Sequence, residues 1–488
     1  MILPSWLLGG FCDDDSCGGN GYSPPHPKSQ TRRHRLLRNK FQENSNAPPK
    51  PPWYFWKHRR RKTVCPFPAS SSDSQILWIC VPTAFLCFLN SLNGDLVHDD
   101  LSAVRWNPDA MGLTPLHTLF SHDFWGCDMS DANSHKSYRP ITILTFRLNV
   151  YLHGLHPLGF HIVNVLLHCL NVAFVFHIAR RILRFSWHAS FMATLLFATH
   201  PVHTEAVAGI VGRADVLCGA FFLCSFISSH SWSASLSTAP YNGVPLFPLI
   251  LSVTLAILAL LSKEIGVTVI GISAIHAFAF DHRRSIRSFL GSSLHVGHQM
   301  MRNAVLLVTG LSLMAFRLWV LGGELPQFSD QDNPAAFAET KTRFLSMVYI
   351  WAKNILLLLN PSDLSYDWQF GSIPLVTCFS DVRNLVSFSF LGLLGTVVVW
   401  CLRQSSLSKT EELHRSQTLM SLAFFIVPFL PATNIFFPVG FVIAERVLYI
   451  PRRGVCWLFH VELARVIAEA HSSHTAGLSI VIGAADVE

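Results

Sequence analysis

Charge is scarce in this chain. Only 14% of its 488 residues are Asp, Glu, Lys or Arg, and half are apolar. The mean hydropathy is +0.36. A soluble domain carries about 25% charged residues, so the deficit excludes an ordinary soluble protein and points to a membrane protein. The net charge of +7 is not gathered on a basic face. Lys and Arg sit in short clusters between apolar runs, which reads as membrane topology and not as nucleic-acid binding. The twelve cysteines form no CxxC pair and no zinc spacing. Cys127 and Cys378 are the pair an oxidising lumen would join. No Asn-x-Ser/Thr sequon is present, so glycosylation marks no face of the membrane. A cleavable signal peptide is also missing: "MILPSWLLGGF" is short and runs into "CDDDSC".

What is present begins with a proline-rich and basic N-terminus. "SQTRRHRLLRNK" and "NAPPKPPWYFWKHRRRK" build no core, so residues 1–72 read as a disordered cytosolic segment. Apolar spans then follow near 75–92, 158–179, 188–206, 214–232, 245–262, 264–281, 303–322, 385–402 and 417–437. Each is near the ~20 residues needed to cross a bilayer. The basic stretches "ARRILRF" (Ala179–Phe185), "DHRRSIRSF" (Asp281–Phe289) and "CLRQSSLSKTEELHRSQ" (Cys401–Gln417) fall on the cytosolic side with the N-terminus. That alternation holds only if the apolar run 344–360, which contains Lys353, does not cross. It therefore reads as an interfacial or re-entrant helix inside a luminal segment of about 323–384. A first luminal loop spans 93–157.

Several charged motifs interrupt the apolar pattern, and all fall on the luminal side. "GDLVHDDLSAV" places Asp95, Asp99 and Asp100 directly after an uncharged run. A carboxylate there can take a proton from a hydroxyl, and neighbouring acids raise each other's proton affinity. The competing reading is a helix start with acids near its positive end. "SHKSYRPITILTFRLN" gathers His135, Lys136, Arg139 and Arg147, cations suited to a phosphate or to lipid headgroups. "ATHPVHTEAVAGIVGRADVL" brings His200, His203, Glu205, Arg213 and Asp215 between two apolar runs. Polar groups at that depth face a cavity or one another. His200, His203 and Glu205 are candidate ligands for a divalent metal, and a pairing of Arg213 with Asp215 or Glu205 is the alternative. Lys263 and Glu264 form the whole break in "LLSKEIGVTV", read as a tight luminal turn. Glu445 and Arg446 close the series in "FPVGFVIAERVLYIP", with Arg446 a candidate holder of a lipid phosphate.

"HDDLSAV", "SHKSYRPITILTF", "HPVHTEAVAGIVGRADVL", "SKEIGVTV" and "ERVLYIP", in this order, resemble the transmembrane and tetratricopeptide-repeat-containing (TMTC) family. The likeness runs from about Asn93 to Pro451. It implies an all-α polytopic membrane protein of the GT-C glycosyltransferase class in the endoplasmic reticulum, with a multi-span catalytic domain over 73–451. The implied reaction moves mannose from dolichyl-phosphate-mannose to Ser/Thr hydroxyls of secretory-pathway proteins, cadherins among them. Asp99 and Asp100 match the catalytic acid position in the first luminal loop. Arg139, Arg213, Lys263 and Arg446 would hold the donor phosphate, with His135, His200, His203, Glu205, Asp215, Glu264 and Glu445 in support. The family continues into tetratricopeptide repeats of about 34 residues each. The divergent segment 452–488, "RRGVCWLFHVELARVIAEAHSSH" and beyond, is too short for them, so the chain reads as truncated before the repeats. Its two arginines also oppose a luminal position.

Two other classes compete. A non-catalytic membrane scaffold or calcium-store adaptor, or an inactive truncated product, would need the repeats more than the acids. A transporter would show repeated halves and charges near the midplane, and neither is visible.

Overall fold

The computed structural model describes residues 71–238, 246–282, 293–324, 326–368, 370–403, 408–459 and 461. The expectations for residues 1–70 and 462–488 lie outside them. Among the described residues the protein is all-α, with no strand. The main helices are α1 (Ser71–Cys87), α2 (Pro140–His153), α3 (Pro157–His177), α4 (Trp187–Thr199), α5 (Arg213–Thr238) and α6 (Leu246–Ser262). They continue with α7 (Val269–His276), α8 (Ser293–Val320), α9 (Thr340–Leu359), α10 (Arg383–Leu402) and α11 (Lys409–Phe429). Proline opens α2 and α3, where its missing N–H costs nothing. Ser408 and Glu411 form a capping box that starts α11.

Among the described residues six helical segments are long and apolar enough to cross a membrane: Asp73–Asn93, Pro157–Ile182, Arg213–Ser235, Met300–Val320, Thr340–Leu359 and Arg383–Leu402. The protein is a multi-pass membrane protein. Residues of α1, α3, α4, α5, α6, α7 and α11 share one apolar core. By contrast α8 and α10 expose Leu307, Leu311, Leu393 and Val399, apolar faces suited to lipid. Four expected spans come out differently. The run 188–206 is only the 13-residue helix α4, stopped by the turn at His200–Pro201. The run 417–437 belongs to a helix that starts at Lys409 and ends at Phe429, one residue past Pro428. The segments Leu246–Ser262 and Glu264–Phe280 are shorter than a full span and make a hairpin at Lys263, whose backbone is extended.

Hydrogen bonds sort the connections into two ends. At one end Asp73 pairs with Arg180 (3.0 Å) and Arg181 (2.7 Å). Gln417 donates to the Leu183 carbonyl (2.9 Å), Ser416 to that of Ala279 (3.0 Å), and Arg415 to that of Arg403. At the other end lie the charged motifs. The flanks of α9 both belong to that second end. Before it, Asn333 donates to the carbonyls of Val439 (3.0 Å) and Phe441 (2.9 Å). After it, the Ser365 N–H donates to Glu445 (2.7 Å). The helix α9 is thus continuous, crossing length by composition, yet begins and ends beside the same stretch of chain.

Candidate functional site

A cavity of about 500 Å³ opens at this second end, within the range of small-molecule sites. From the expected residues it takes Asp99, His135, Arg139, Glu205, Lys263, Glu264 and Arg446, so motifs spread over most of the membrane region meet at one place.

The loop before α2 presents the first of these. Asp123 accepts hydrogen bonds from the N–H groups of Trp125, Cys127 and His135 and from the Ser134 hydroxyl. That knot fixes the backbone at His135, and Arg139 lies 5.1 Å over the Phe124 ring. His98 and Lys136 both adopt left-handed backbone, with φ of 50° and 54°, and both line the cavity. Such conformations cost a non-glycine residue about 1 kcal/mol and cluster at functional sites.

The two neighbouring aspartates divide. Successive residues at a helix start point about 100° apart. Asp99 faces the cavity, one-third exposed, with Arg446 Nη1 3.2 Å from its carboxylate. Asp100 turns inward and is only 3% exposed. It accepts from the Val211 N–H (2.9 Å) and the Val97 N–H (3.3 Å), and burial raises its pKa. Asp95 accepts from the Leu96 N–H. Of the three, the cavity takes Asp99 alone, and Asp100 caps no helix with its side chain.

Arg446 is gripped twice more. Glu205 accepts from its backbone N–H (2.7 Å) and pairs with its Nε (3.3 Å). Burial pushes Glu205 up to about 7, against the lowering pull of Arg446. Lys263 places its Nζ 2.7 Å from both oxygens of Asp215, and burial lowers its pKa. Across the hairpin tip, Glu264 accepts from Arg139 Nη2 (3.1 Å) and Arg317 Nη2 (2.9 Å). Lys136 donates to the carbonyls of Met129 (2.7 Å) and Asp131 (3.3 Å).

Other expected residues do not reach the cavity. Arg213 is fully buried. Its Nε donates to Asn164 (2.8 Å), Nη2 to the Phe160 carbonyl (2.7 Å) and Nη1 to Asn149. The Phe146 ring lies 4.8 Å beneath it. With its donors spent, it pins α2, α3 and α5 together and is not available to a phosphate. It pairs with neither Asp215 nor Glu205. Asp215 stands behind Lys263, buried. Arg147 donates to the Thr114 carbonyl (2.7 Å). His200 accepts from the Val202 N–H (3.2 Å). His203 packs against Phe197 (4.6 Å) and Tyr449 (4.8 Å). Glu445 binds the Ser365 N–H and Trp368 Nε1 (3.1 Å), and burial raises it. Among the described residues no group of three His, Cys, Asp or Glu side chains is arranged to hold a metal, so His200, His203 and Glu205 do not form the suspected ligand set. Cys127 and Cys378 are both free.

Sequence reasoning missed Arg317, which lines the cavity from the end of α8. The usable signal was one cation in an otherwise apolar run. Trp125 and Tyr366 also line it. Beyond it, Arg452 donates to the Leu358 carbonyl, and Arg453 is buried over the rings of Phe197 (5.1 Å) and Tyr449 (5.0 Å).

Residues 322–395 match the family model described as Protein O-mannosyl-transferase TMTC, DUF1736. The chain is 41% identical to the Mus musculus Protein O-mannosyl-transferase TMTC3 over 392 residues, 78% of this chain and 41% of that protein. It is 40% identical to the Homo sapiens Protein O-mannosyl-transferase TMTC4 over 402 residues, 77% of this chain and 53% of that protein. With the Drosophila melanogaster Protein O-mannosyl-transferase Tmtc3 it shares 39% over 436 residues, 79% and 45% respectively. The chain thus spans roughly half, or somewhat less, of the length of the curated relatives it matches. No solved structure matches it. The family model and the relatives together place this chain in the TMTC family.

Proposed function

We propose that the chain carries the membrane catalytic region of a GT-C-class protein O-mannosyltransferase of the endoplasmic reticulum, with its N-terminus cytosolic and its cavity luminal. The donor is dolichyl-phosphate-mannose, and the acceptor is a Ser or Thr hydroxyl of a secretory-pathway protein, cadherins included. The observation that carries this reading is the convergence of Asp99, Glu205, Arg139, Lys263, Glu264 and Arg446 on one cavity. The placement of both flanks of α9 beside that cavity supports counting 323–384 as a luminal segment. The arrangement gives a scaffold no use for so many paired charges in one cleft.

Chemistry follows from the charges. Asp99 takes the proton of the acceptor hydroxyl. The freed oxygen attacks the anomeric carbon through an oxocarbenium-like transition state, and the bond from that carbon to the phosphate oxygen breaks. Dolichyl phosphate leaves carrying the bonding electron pair. A phosphate leaving group needs no strong acid, only cations that stabilise its growing charge. Arg446, Arg139, Arg317 and Lys263 supply them. No step requires a metal.

The test is transfer of labelled mannose from dolichyl-phosphate-mannose to a cadherin domain, in microsomes lacking endogenous activity. The intact chain is expected to transfer and Asp99→Asn to fail while inserting normally. Normal transfer by Asp99→Asn sinks the base assignment. Insertion without transfer by the intact chain, restored when a repeat array is appended, would make acceptor recognition depend on those repeats.

A further inference from the structure

The cavity has a property that charge counting alone misses: each of its Lys and Arg side chains is already engaged. Lys263 is held by both oxygens of buried Asp215. Arg139 and Arg317 share Glu264. Lys136 is spent on two backbone carbonyls. Arg446 lies between Glu205 and Asp99. An anionic headgroup that takes the carboxylate-facing edge of one of these cations must displace that carboxylate. Asp215 is nearly sealed from water, and Glu264 is bound by two guanidinium groups. Glu205 accepts both a backbone and a side-chain donor of Arg446. Asp99 is held to Arg446 by a single 3.2 Å contact, is one-third exposed, and follows a residue in strained backbone. It is the weakest link.

Resting on the reading above, we infer that the donor phosphate takes the place of Asp99 on Arg446, which Glu205 holds in position, so that donor binding frees the base. Before exchange, the arginine occupies the Asp99 carboxylate in an ion pair and holds it away from an acceptor hydroxyl. After exchange the arginine charge is spent on phosphate, and Asp99 turns to the acceptor. Two consequences follow. The donor binds first, and an acceptor hydroxyl or a water molecule meets an active base only when the sugar is in place. Glu205 is a positioning residue: it touches Arg446, not the reacting atoms.

Binding of dolichyl-phosphate-mannose to the purified full chain tests this directly. Asp99→Asn removes the competing carboxylate and is expected to bind the donor about fivefold tighter, the size of one exposed ion pair, while losing transfer. Arg446→Ala is expected to bind it weakly. Glu205→Ala should raise KM for the donor, while Glu205→Gln, which keeps an oxygen for the Arg446 N–H and loses only the charge, should return it to the value of the intact chain or below. Donor affinity unchanged in Asp99→Asn, with the intact chain binding well, overturns the exchange and leaves the function standing. Tightening in Glu264→Gln in place of Asp99→Asn overturns it too, by moving the exchange to Arg139. No binding by any form, each one folded by gel filtration, overturns the donor assignment and the exchange with it.

Discussion

Arg213 and Arg446 sit in two polar regions that meet different fates. Around Arg213 the polar atoms close on one another: Asn149, Asn164 and the Phe160 carbonyl absorb its donors, and Phe146 covers its face. Around Arg446 the partners are carboxylates at the wall of a cavity. The difference teaches that an arginine in an apolar sequence is not by itself a ligand. A guanidinium satisfied by neutral acceptors becomes a fastener, because leaving those acceptors unpaired is costly. One balanced by acids beside open space can exchange partners. Asp99 and Asp100 repeat the contrast one residue apart.

Substitutions can break that comparison. Asp99→Asn should lower transfer by about 10²–10⁴-fold, the usual share of a general base, with thermal stability in detergent unchanged. Arg213→Ala should do the reverse. It strands its buried acceptors, and a loss of about 3 kcal/mol or more is expected, read as a lowered inactivation temperature or failed insertion. A stable Arg213→Ala protein with lost donor binding would return that residue to the cavity.

Smaller effects sharpen the contrast. Glu205 is raised to about 7, so its charge is lost as pH falls through that value, and Arg446 is then less neutralised. Binding of dolichyl-phosphate-mannose, a diester that does not titrate there, should tighten about two- to fivefold between pH 8 and pH 6, and Glu205→Gln should flatten the dependence. The stability sign is opposite to that of a salt-bridged acid. A raised carboxyl favours the fold fully below its ordinary value of 4.5 and loses that contribution as pH rises through about 7. Arg317→Ala should have the least effect, about a twofold to fivefold weaker donor affinity, since Arg139 still holds Glu264.

Much of this was legible in the sequence. Apolar runs marked most of the helices, and breaks in those runs marked Asp99, Arg139, Glu205, Lys263, Glu264 and Arg446, because burying a charge needs a reason. Their convergence followed from counting sides of the membrane. What was not legible is direction. Nothing in "HDD" says which aspartate turns inward. Arg213 and Arg446 look alike until the asparagines of α2 and α3 are placed. The shortness of α4 was hidden because apolar residues continue past the His200–Pro201 turn, and Arg317 because its partner Glu264 is distant in the chain.

The hairpin tip between α6 and α7 joins two adjacent residues with opposite allegiances. Lys263 reaches back to α5, while Glu264 reaches out to the start of α2 and the end of α8. Gly266 lies against the Ala259–Leu260 backbone so closely that an added Cβ would sit 2.3 Å from the Ala259 carbonyl carbon. The tip is therefore a rigid coupler with no slack. A single methyl there, as in Gly266→Ala, would act as a wedge. It would pull both ion pairs apart at once, so that helices never in contact with the new atom would lose their alignment together.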